Sequence, residues 1–176
     1  MTTGLRLYFL RHGRAERQAY TGHDDDLRPL VDEGRRRTRA TADLLARIDP
    51  RIDAVITSTL VRARETADIM AERLGLCEVL HEDSRLGLGF DLPTLASLLA
   101  GLPGDVRRIL LVGHEPGLSQ VIGEITGGVV VMRKGALARV DLTPGRKPRG
   151  QLVWLLQSGI VLSCRDASGS DGPGPG

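Results

Sequence analysis

The apolar residues of this chain gather into short runs, and longer segments of mixed polarity separate these runs. Residues 5–10, 54–57 and 108–113 are largely apolar, which is typical of strands buried on both faces of a sheet. The intervening and following segments predict helices at 32–48, 58–74, 92–99 and 118–125. This alternation indicates an α/β fold with a mostly parallel central sheet and helices on both faces, in three α/β/α layers.

The last third of the chain departs from this alternation. Residues 136–142 and 151–156 have the pattern of two more strands, and the Pro- and Gly-rich segment between them predicts a hairpin. A short strand is predicted at 78–80, before a polar loop at 81–85. From residue 163 onward Ser, Gly, Pro and Asp dominate, which predicts a disordered tail at 163–176 after a single domain at 1–162.

Composition narrows the class of protein. The chain has 176 residues, of which 41% are hydrophobic and 26% charged, as expected of a globular domain with a sizeable core. A net charge of +2 and few aromatic residues argue against nucleic-acid binding. No apolar run reaches membrane-spanning length, and residues 5–10 are too short for a signal peptide. We therefore expect no membrane association and a cytoplasmic location.

The two cysteines indicate no special chemistry. Cys77 and Cys164 lie far apart and outside any metal-ligand spacing. We predict no disulfide framework, and we predict that Cys77 is a buried thiol.

Three predicted strands each end in a cluster of polar side chains. Arg11-His12-Gly13 follows the first strand, residues 58–62 follow the second, and Gly113-His114-Glu115-Pro116 follows the strand at 108–113. The carboxyl ends of parallel strands meet at one edge of a sheet, so these clusters can form one pocket. Two guanidiniums, two imidazoles and helix N-termini suit a tetrahedral phosphoryl group. The chain has no Gly-rich loop with Lys and no clear carboxylate cluster for Mg²⁺, which favours charge stabilisation by Arg and His.

The three clusters together resemble the histidine phosphatase superfamily, also called phosphoglycerate mutase-like, through Arg11-His12-Gly13, Ser58-x-x-x-Arg62-Ala63-x-x-Thr66 and Gly113-His114-x-Pro116. The resemblance covers residues 5–156. The short chain, the Leu27-Arg28-Pro29-Leu30 segment and residues 134–138 are similar to its small SixA-type phosphohistidine phosphatase branch.

The resemblance implies a role for each matched residue. His12 would be the nucleophile that becomes phosphorylated, and Arg11, Arg62 and His114 would hold the phosphoryl oxygens without a cofactor. The chemistry agrees, because a neutral imidazole is a competent nucleophile and guanidiniums neutralise charge on the equatorial oxygens. His114, if protonated, would add a donor, although neighbouring cations should lower its pKa unless phosphate is bound.

Gly13 and Ser58 are also expected to support substrate binding. Gly13 would let the backbone turn sharply or approach the ligand. Ser58 or Thr59 is predicted to cap the second helix, with backbone amides near Ser58 facing the phosphate.

Three carboxylates are candidates for the general acid, which protonates the leaving group. Family members with alcohol leaving groups use a carboxylic acid, for which Glu82 is the best positional match and Asp83 is its neighbour. Asp25 is a rival, because it lies before the Leu27–Leu30 segment. Imidazole, with a reference pKa of about 6.5, leaves more easily than an alkoxide, so a phosphohistidine phosphatase tolerates a poorly placed acid.

The sequence therefore predicts a metal-independent phosphatase with a covalent phosphohistidine intermediate. Its expected substrate is phosphohistidine on a protein, such as a phosphorelay domain. One alternative is a small-molecule phosphomonoesterase with the same site, for a sugar or metabolite phosphate. Another is a non-catalytic phosphate-binding module. Residues 35–37 and 146–149 carry clustered cations that are predicted to be solvated and could contact an acidic partner.

Overall fold

The computed structural model describes residues 4–17, 25–49, 51–145 and 147–161. Within these ranges one sheet contains six strands: β1 (Arg6–Arg11), β2 (Ala54–Thr57), β3 (Leu80–Glu82), β4 (Arg108–Gly113), β5 (Leu137–Leu142) and β6 (Gly150–Leu156). The α-helices are α1 (Asp32–Ile48), α2 (Val61–Leu74), α3 (Leu92–Ala100) and α4 (Gly117–Thr126). The strand order is β3-β2-β4-β1-β5-β6. The first four strands in this order are mutually parallel, and β5 is antiparallel to both β1 and β6. The predicted α/β fold with a mostly parallel sheet is therefore confirmed.

Each face of the sheet has its own hydrophobic core. Successive side chains of a strand point to opposite faces, so β1 sends Leu7 and Phe9 to one core and Tyr8 and Leu10 to the other. Helices α3 and α4 cover the first face with Leu95, Leu98, Leu118, Val121, Ile122 and Ile125. Helices α1 and α2 cover the second with Ala42, Leu45, Ala63, Ala67 and Met70. These four residues of β1 are at most 1% exposed, which explains why the middle of the strand is a continuous apolar run in the sequence.

The predicted hairpin forms from β5 and β6. The Thr143 N–H donates to the Arg149 carbonyl over 2.8 Å and closes the connection. The predicted tail at 163–176 lies outside the described residues. None of the helices in the described ranges is long and apolar enough to cross a membrane.

The region around Cys77 differs from the prediction. Residues Cys77–Val79 form a 3-10 turn, and the strand begins only at Leu80, where it pairs with β2. Helix α2 ends at Gly75 in the left-handed conformation (φ 69°), which turns the chain out at the edge of the sheet. Cys77 is therefore exposed, and the prediction of a buried thiol was wrong.

The start of α2 also differs from the prediction. The N-cap residue is Leu60 and no side chain caps the helix, so neither Ser58 nor Thr59 is the N-cap. The Ser58 hydroxyl accepts the Leu60 N–H over 3.3 Å and also contacts His114. Ser58 is fully buried, and its side chain joins the strand ends rather than the first turn of the helix.

Candidate active site

The register of three adjacent strands brings the three polar clusters together. Arg11 of β1 lies opposite Gly113 of β4, and Thr57 of β2 lies opposite Val112 of the same strand. The His12 N–H donates to the Gly113 carbonyl over 3.0 Å, so the chain segments after β1 and β4 stay joined beyond the strands. The ring centroids of His12 and His114 are 5.1 Å apart. The sequence clusters therefore form one pocket at the carboxyl edge of the parallel strands.

His12 is a buried imidazole whose tautomer follows from its neighbour. Its Nδ1 lies 2.8 Å from the carbonyl oxygen of Gly13, which can only accept, so Nδ1 carries the proton. The lone pair is then on Nε2. Burial, and next the nearby His114, lower the pKa of His12 to about 3. His12 is therefore neutral at physiological pH, which is the form that a nucleophile requires.

His114 is held by Ser58. The Nε2 atom of His114 lies 2.9 Å from Ser58 Oγ, and Ser58 Oγ already accepts the Leu60 N–H. Among the described residues the Ser58 hydroxyl has no other acceptor for its proton, so it donates to His114 Nε2 and the imidazole proton lies on Nδ1. This Nδ1 is buried without a hydrogen-bond partner in the described part of the chain. Burial, then Arg62 and Arg11, lower the pKa of His114 to about 4, so the free donor belongs to a neutral ring.

Two guanidiniums flank the imidazoles, that of the buried Arg62 and that of the half-buried Arg11. Arg11 donates from Nη1 to the Met132 carbonyl over 2.8 Å, and Arg62 donates from Nη1 to the Asp25 carbonyl over 2.8 Å. Burial lowers the pKa of both, but a guanidinium stays protonated in proteins. The Nε atoms of both are buried and have no partner in the ranges that the structure describes. Buried donors are normally paired, so these free N–H groups are suited to oxygens of a bound anion.

The small size of Gly13 allows α1 to pack against the turn that follows β1. A Cβ atom there would lie 3.0 Å from Thr38 Oγ1 and 3.3 Å from the Gly34 carbonyl, so α1 packs directly against this turn. The Gly13 N–H donates to Thr66 Oγ1 over 3.0 Å, and Thr66 Oγ1 donates to the Arg62 carbonyl over 2.7 Å. Thr66 thereby links the segment after β1 to the helix that carries Arg62. This link was not predicted, because nothing in the local pattern shows that the two hydrogen bonds span separate elements.

The three candidate acids lie in different surroundings. Asp25 Oδ1 accepts from Arg28 Nε over 2.7 Å, and its Oδ2 lies 3.1 Å from Arg62 Nη2. The hydrogen bond from Arg28 is the largest of the effects that lower the pKa of Asp25, so this carboxyl is ionised near neutral pH.

The other two acids pair with arginines other than Arg11 and Arg62. Glu82 Oε1 lies 3.4 Å from Arg64 Nε with 43% of its side chain exposed. Asp83 accepts the Arg85 N–H over 2.9 Å and pairs with the Arg85 guanidinium. The structure thus joins Asp25, and neither Glu82 nor Asp83, to the guanidinium of Arg62 through a direct contact.

Comparisons with known proteins point to one family. The sequence profile of the histidine phosphatase superfamily (branch 1) matches residues 7–87. The protein GpmB of Serratia proteamaculans, named "Probable phosphoglycerate mutase", is 38% identical over 165 residues, which cover 91% of this chain and 72% of GpmB. Phosphohistidine phosphatase SixA of Escherichia coli is 27% identical over 154 residues, which cover 85% of this chain and 92% of SixA. A structure of the protein histidine phosphatase SixA complexed with tungstate has the same fold, with a TM-score of 0.78 and 23% identity over 89% of this chain and 99% of that chain.

The chain therefore belongs to the histidine phosphatase superfamily. Within that superfamily its sequence is similar to that of SixA, and its fold matches that of SixA.

Proposed function

We propose that this protein removes phosphate from phosphohistidine on a protein, through a covalent phosphohistidine intermediate on His12 and without a metal ion. The observation that carries the proposal is the state of His12. It is 6% exposed, neutral, fixed by the Gly13 carbonyl as the tautomer with a lone pair on Nε2, and adjacent to two guanidiniums. A purely structural histidine would not need unpaired cationic donors beside it.

The first step is an in-line displacement at phosphorus. The Nε2 lone pair of His12 forms a bond to phosphorus, the P–N bond of the substrate breaks, and the departing imidazole takes a proton. Because imidazole has a reference pKa of about 6.5, solvent can supply this proton near neutral pH. Arg11, Arg62 and the Nδ1–H of His114 donate to the equatorial oxygens, on which negative charge lies in the transition state.

The second step regenerates the enzyme. Water attacks phosphorus, the P–Nε2 bond breaks, inorganic phosphate leaves, and the bond electrons return to Nε2 of His12. The proton that water loses is taken up by phosphate or solvent. The Gly13 carbonyl keeps the proton on Nδ1 throughout, so His12 returns to the state in which it began.

The ionisation of Asp25 favours this substrate over an alcohol phosphate. An alkoxide leaving group needs a protonated acid beside it, and the pKa of Asp25 is lowered by its contacts with Arg28 and Arg62. The similarity to GpmB makes a small phosphomonoester the second candidate substrate. The cytoplasmic location and a phosphorelay domain as partner stay predictions.

A parallel turnover measurement tests the proposal. The substrates are a phosphohistidine protein, sugar phosphates and p-nitrophenyl phosphate, and His12→Ala is the control. We expect the highest kcat/KM with phosphohistidine and no turnover in the variant. A sugar phosphate hydrolysed far faster than phosphohistidine would overturn the substrate assignment, and full activity in His12→Ala would overturn the mechanism.

A further inference from the structure

One cavity is lined by residues of the segment after β1 and of the loop before β5, and the proposed chemistry does not use it. It is an open cleft of about 1020 Å³, and its lining includes the cations Arg14, Arg37, Arg133 and Lys134 and the apolar residues Val131 and Ile160. We call it the basic cleft. A phosphoryl group would fill only a fraction of this volume. The cleft is therefore large enough to bind the part of a substrate that surrounds the phosphoryl group.

Residues that line the basic cleft are close neighbours, along the chain, of residues in the active site. Arg14 is two residues from His12. On the opposite wall the Gly135 N–H lies 3.0 Å from the His12 carbonyl and 3.2 Å from the Arg11 carbonyl, and Lys134 directly precedes Gly135. Burial, and next the charge of Arg11, lower the pKa of Lys134, in agreement with its position at the rim of the catalytic pocket.

Within the described residues the cations of the basic cleft are only partly neutralised. Arg14 and Arg37 share one carboxylate, that of Glu33. The side chains of Arg133 and Lys134 have no carboxylate partner among the residues of the described ranges. Among the described residues, four cations against a single carboxylate make the cleft positive, so its occupant should be acidic.

The arrangement of the lining favours a protein segment over a second phosphate group. A phosphate site would bring several donors to one point, but these cations come from the segment after β1, from α1 and from the loop before β5. Val131 and Ile160 lie among them and are 65% and 58% exposed. A cationic rim around apolar side chains is complementary to a peptide surface with both carboxylates and an apolar residue.

We propose that the basic cleft docks an acidic segment of the protein that carries the phosphohistidine, and that it thereby selects the substrate. This inference rests on the proposed function, since the docked segment is part of the same substrate. The cations attract the acidic partner and orient it, while Arg11, Arg62 and His114 bind only the phosphoryl group.

The experiment compares two phosphohistidine peptides of equal length. One peptide has Glu on both sides of the phosphohistidine, and the other has Gln at the same positions. For the wild-type chain we expect kcat/KM for the Glu peptide to be higher by about tenfold, the equivalent of 1.4 kcal/mol. In Arg133→Glu the ratio of kcat/KM for the Glu peptide to that for p-nitrophenyl phosphate should fall by about the same factor.

Arg149→Glu is the matched control. It makes the same charge change at an exposed position of the β5–β6 connection, at the opposite end of the sheet from His12. The preference for the Glu peptide should be retained in this variant. Equal loss of the preference in Arg149→Glu and Arg133→Glu would show a general charge effect and overturn the docking site.

Other outcomes separate the docking site from the proposed function. Equal kcat/KM for the two peptides on the wild-type chain overturns the docking site alone. A preference for fructose 1,6-bisphosphate over fructose 6-phosphate that Arg133→Glu abolishes, with no peptide preference, assigns the cleft to a second phosphate and also overturns it. If neither peptide is hydrolysed, the proposed function fails.

In that case, fluorescence anisotropy with His12→Ala tests the docking site by binding alone. The docking site is supported if the Glu peptide binds more tightly than the Gln peptide and is overturned if both bind equally.

Discussion

The phosphoryl-binding side of the active site and its acidic side are built differently. His12, Arg62 and His114 are 6%, 3% and 3% exposed, and they follow or adjoin the ends of adjacent strands. The candidate acids lie on a 3-10 turn and at the edge of the sheet, and each is paired with an arginine. Pre-organised charge stabilisation thus coexists with carboxylates that are each held by an arginine. Such a site suits a leaving group that departs without help.

The largest effect is expected at the nucleophile. His12→Ala should lower turnover of phosphohistidine by roughly three orders of magnitude or more, since no covalent intermediate can form. Rapid quench with ³²P-labelled substrate should give an acid-labile label on the wild-type protein and none on the variant. Label of equal amount on His12→Ala would show that another residue is the nucleophile.

Arg62→Gln should have the next largest effect. It removes the guanidinium that lies between Asp25 and the imidazoles, and loss of one pre-organised donor typically costs roughly 10²- to 10³-fold in kcat. The Kd for inorganic phosphate, measured by calorimetry, should rise as well. An unchanged melting temperature with unchanged kcat would contradict the role of Arg62.

Ser58→Ala should have an intermediate effect. Without the hydroxyl, the proton of His114 is no longer directed to Nδ1, and we expect kcat to fall about tenfold with little change in the unfolding midpoint. The ¹⁵N chemical shifts of His114 should change from one tautomer to a mixture of two. Thr59→Ala removes a neighbouring exposed hydroxyl and is the matched control. A single unchanged tautomer in Ser58→Ala would exclude the positioning role.

The pH dependence of stability reports on the buried imidazoles. The pKa of His12 is about 3 in the folded protein and about 6.5 in an unfolded chain, so the unfolded state binds more protons between these pH values. The free energy of unfolding should therefore decrease as the pH falls from about 6.5 toward 3. Urea unfolding at pH 7 and pH 5 measures this decrease, which should be smaller in His12→Asn. An equal decrease in both proteins would show that His12 does not contribute.

The smallest effects are expected on the acidic side. Asp25→Asn should lower kcat/KM for phosphohistidine by about threefold, because Asp25 orients Arg62 through a partly exposed contact. Glu82→Gln should change it by less than about twofold, since Glu82 pairs with Arg64 in a contact of two half-exposed side chains. A large loss of kcat/KM for phosphohistidine in Glu82→Gln would make Glu82 the general acid. It would also contradict the contrast between the phosphoryl-binding side and the acidic side of the site.

The fold was predictable because its signals are local. The strands β1, β2 and β4 are continuous apolar runs, and each ends in a cluster that only the carboxyl edge of a parallel sheet can assemble. Residues 77–82 were mispredicted because a three-residue edge strand with little burial leaves almost no periodic pattern. Cys77 was placed in the core on its residue type alone, and the turn after Gly75 carries it to the surface.

The details of the site were less predictable because they depend on distant partners. Ser58 and His114 are 56 positions apart, and Arg62 and Asp25 are 37 positions apart. Local preference favoured Ser58 as a helix cap, and the sequence contains no sign that a distant imidazole uses its hydroxyl instead. The lowered pKa values of His12 and His114 likewise have burial as their largest cause, which only the packed structure reveals.

The most direct test of the whole account is the position of the phosphoryl group on the trapped intermediate. The Nδ1 atom of His12 is occupied by its hydrogen bond to the Gly13 carbonyl, so only Nε2 can attack phosphorus. We predict that ³¹P–¹H correlation spectra of the phosphopeptide released from the quenched enzyme show phosphorus coupled through Nε2 of His12. A phosphoryl group on Nδ1 of His12, or on any other residue, would contradict the account.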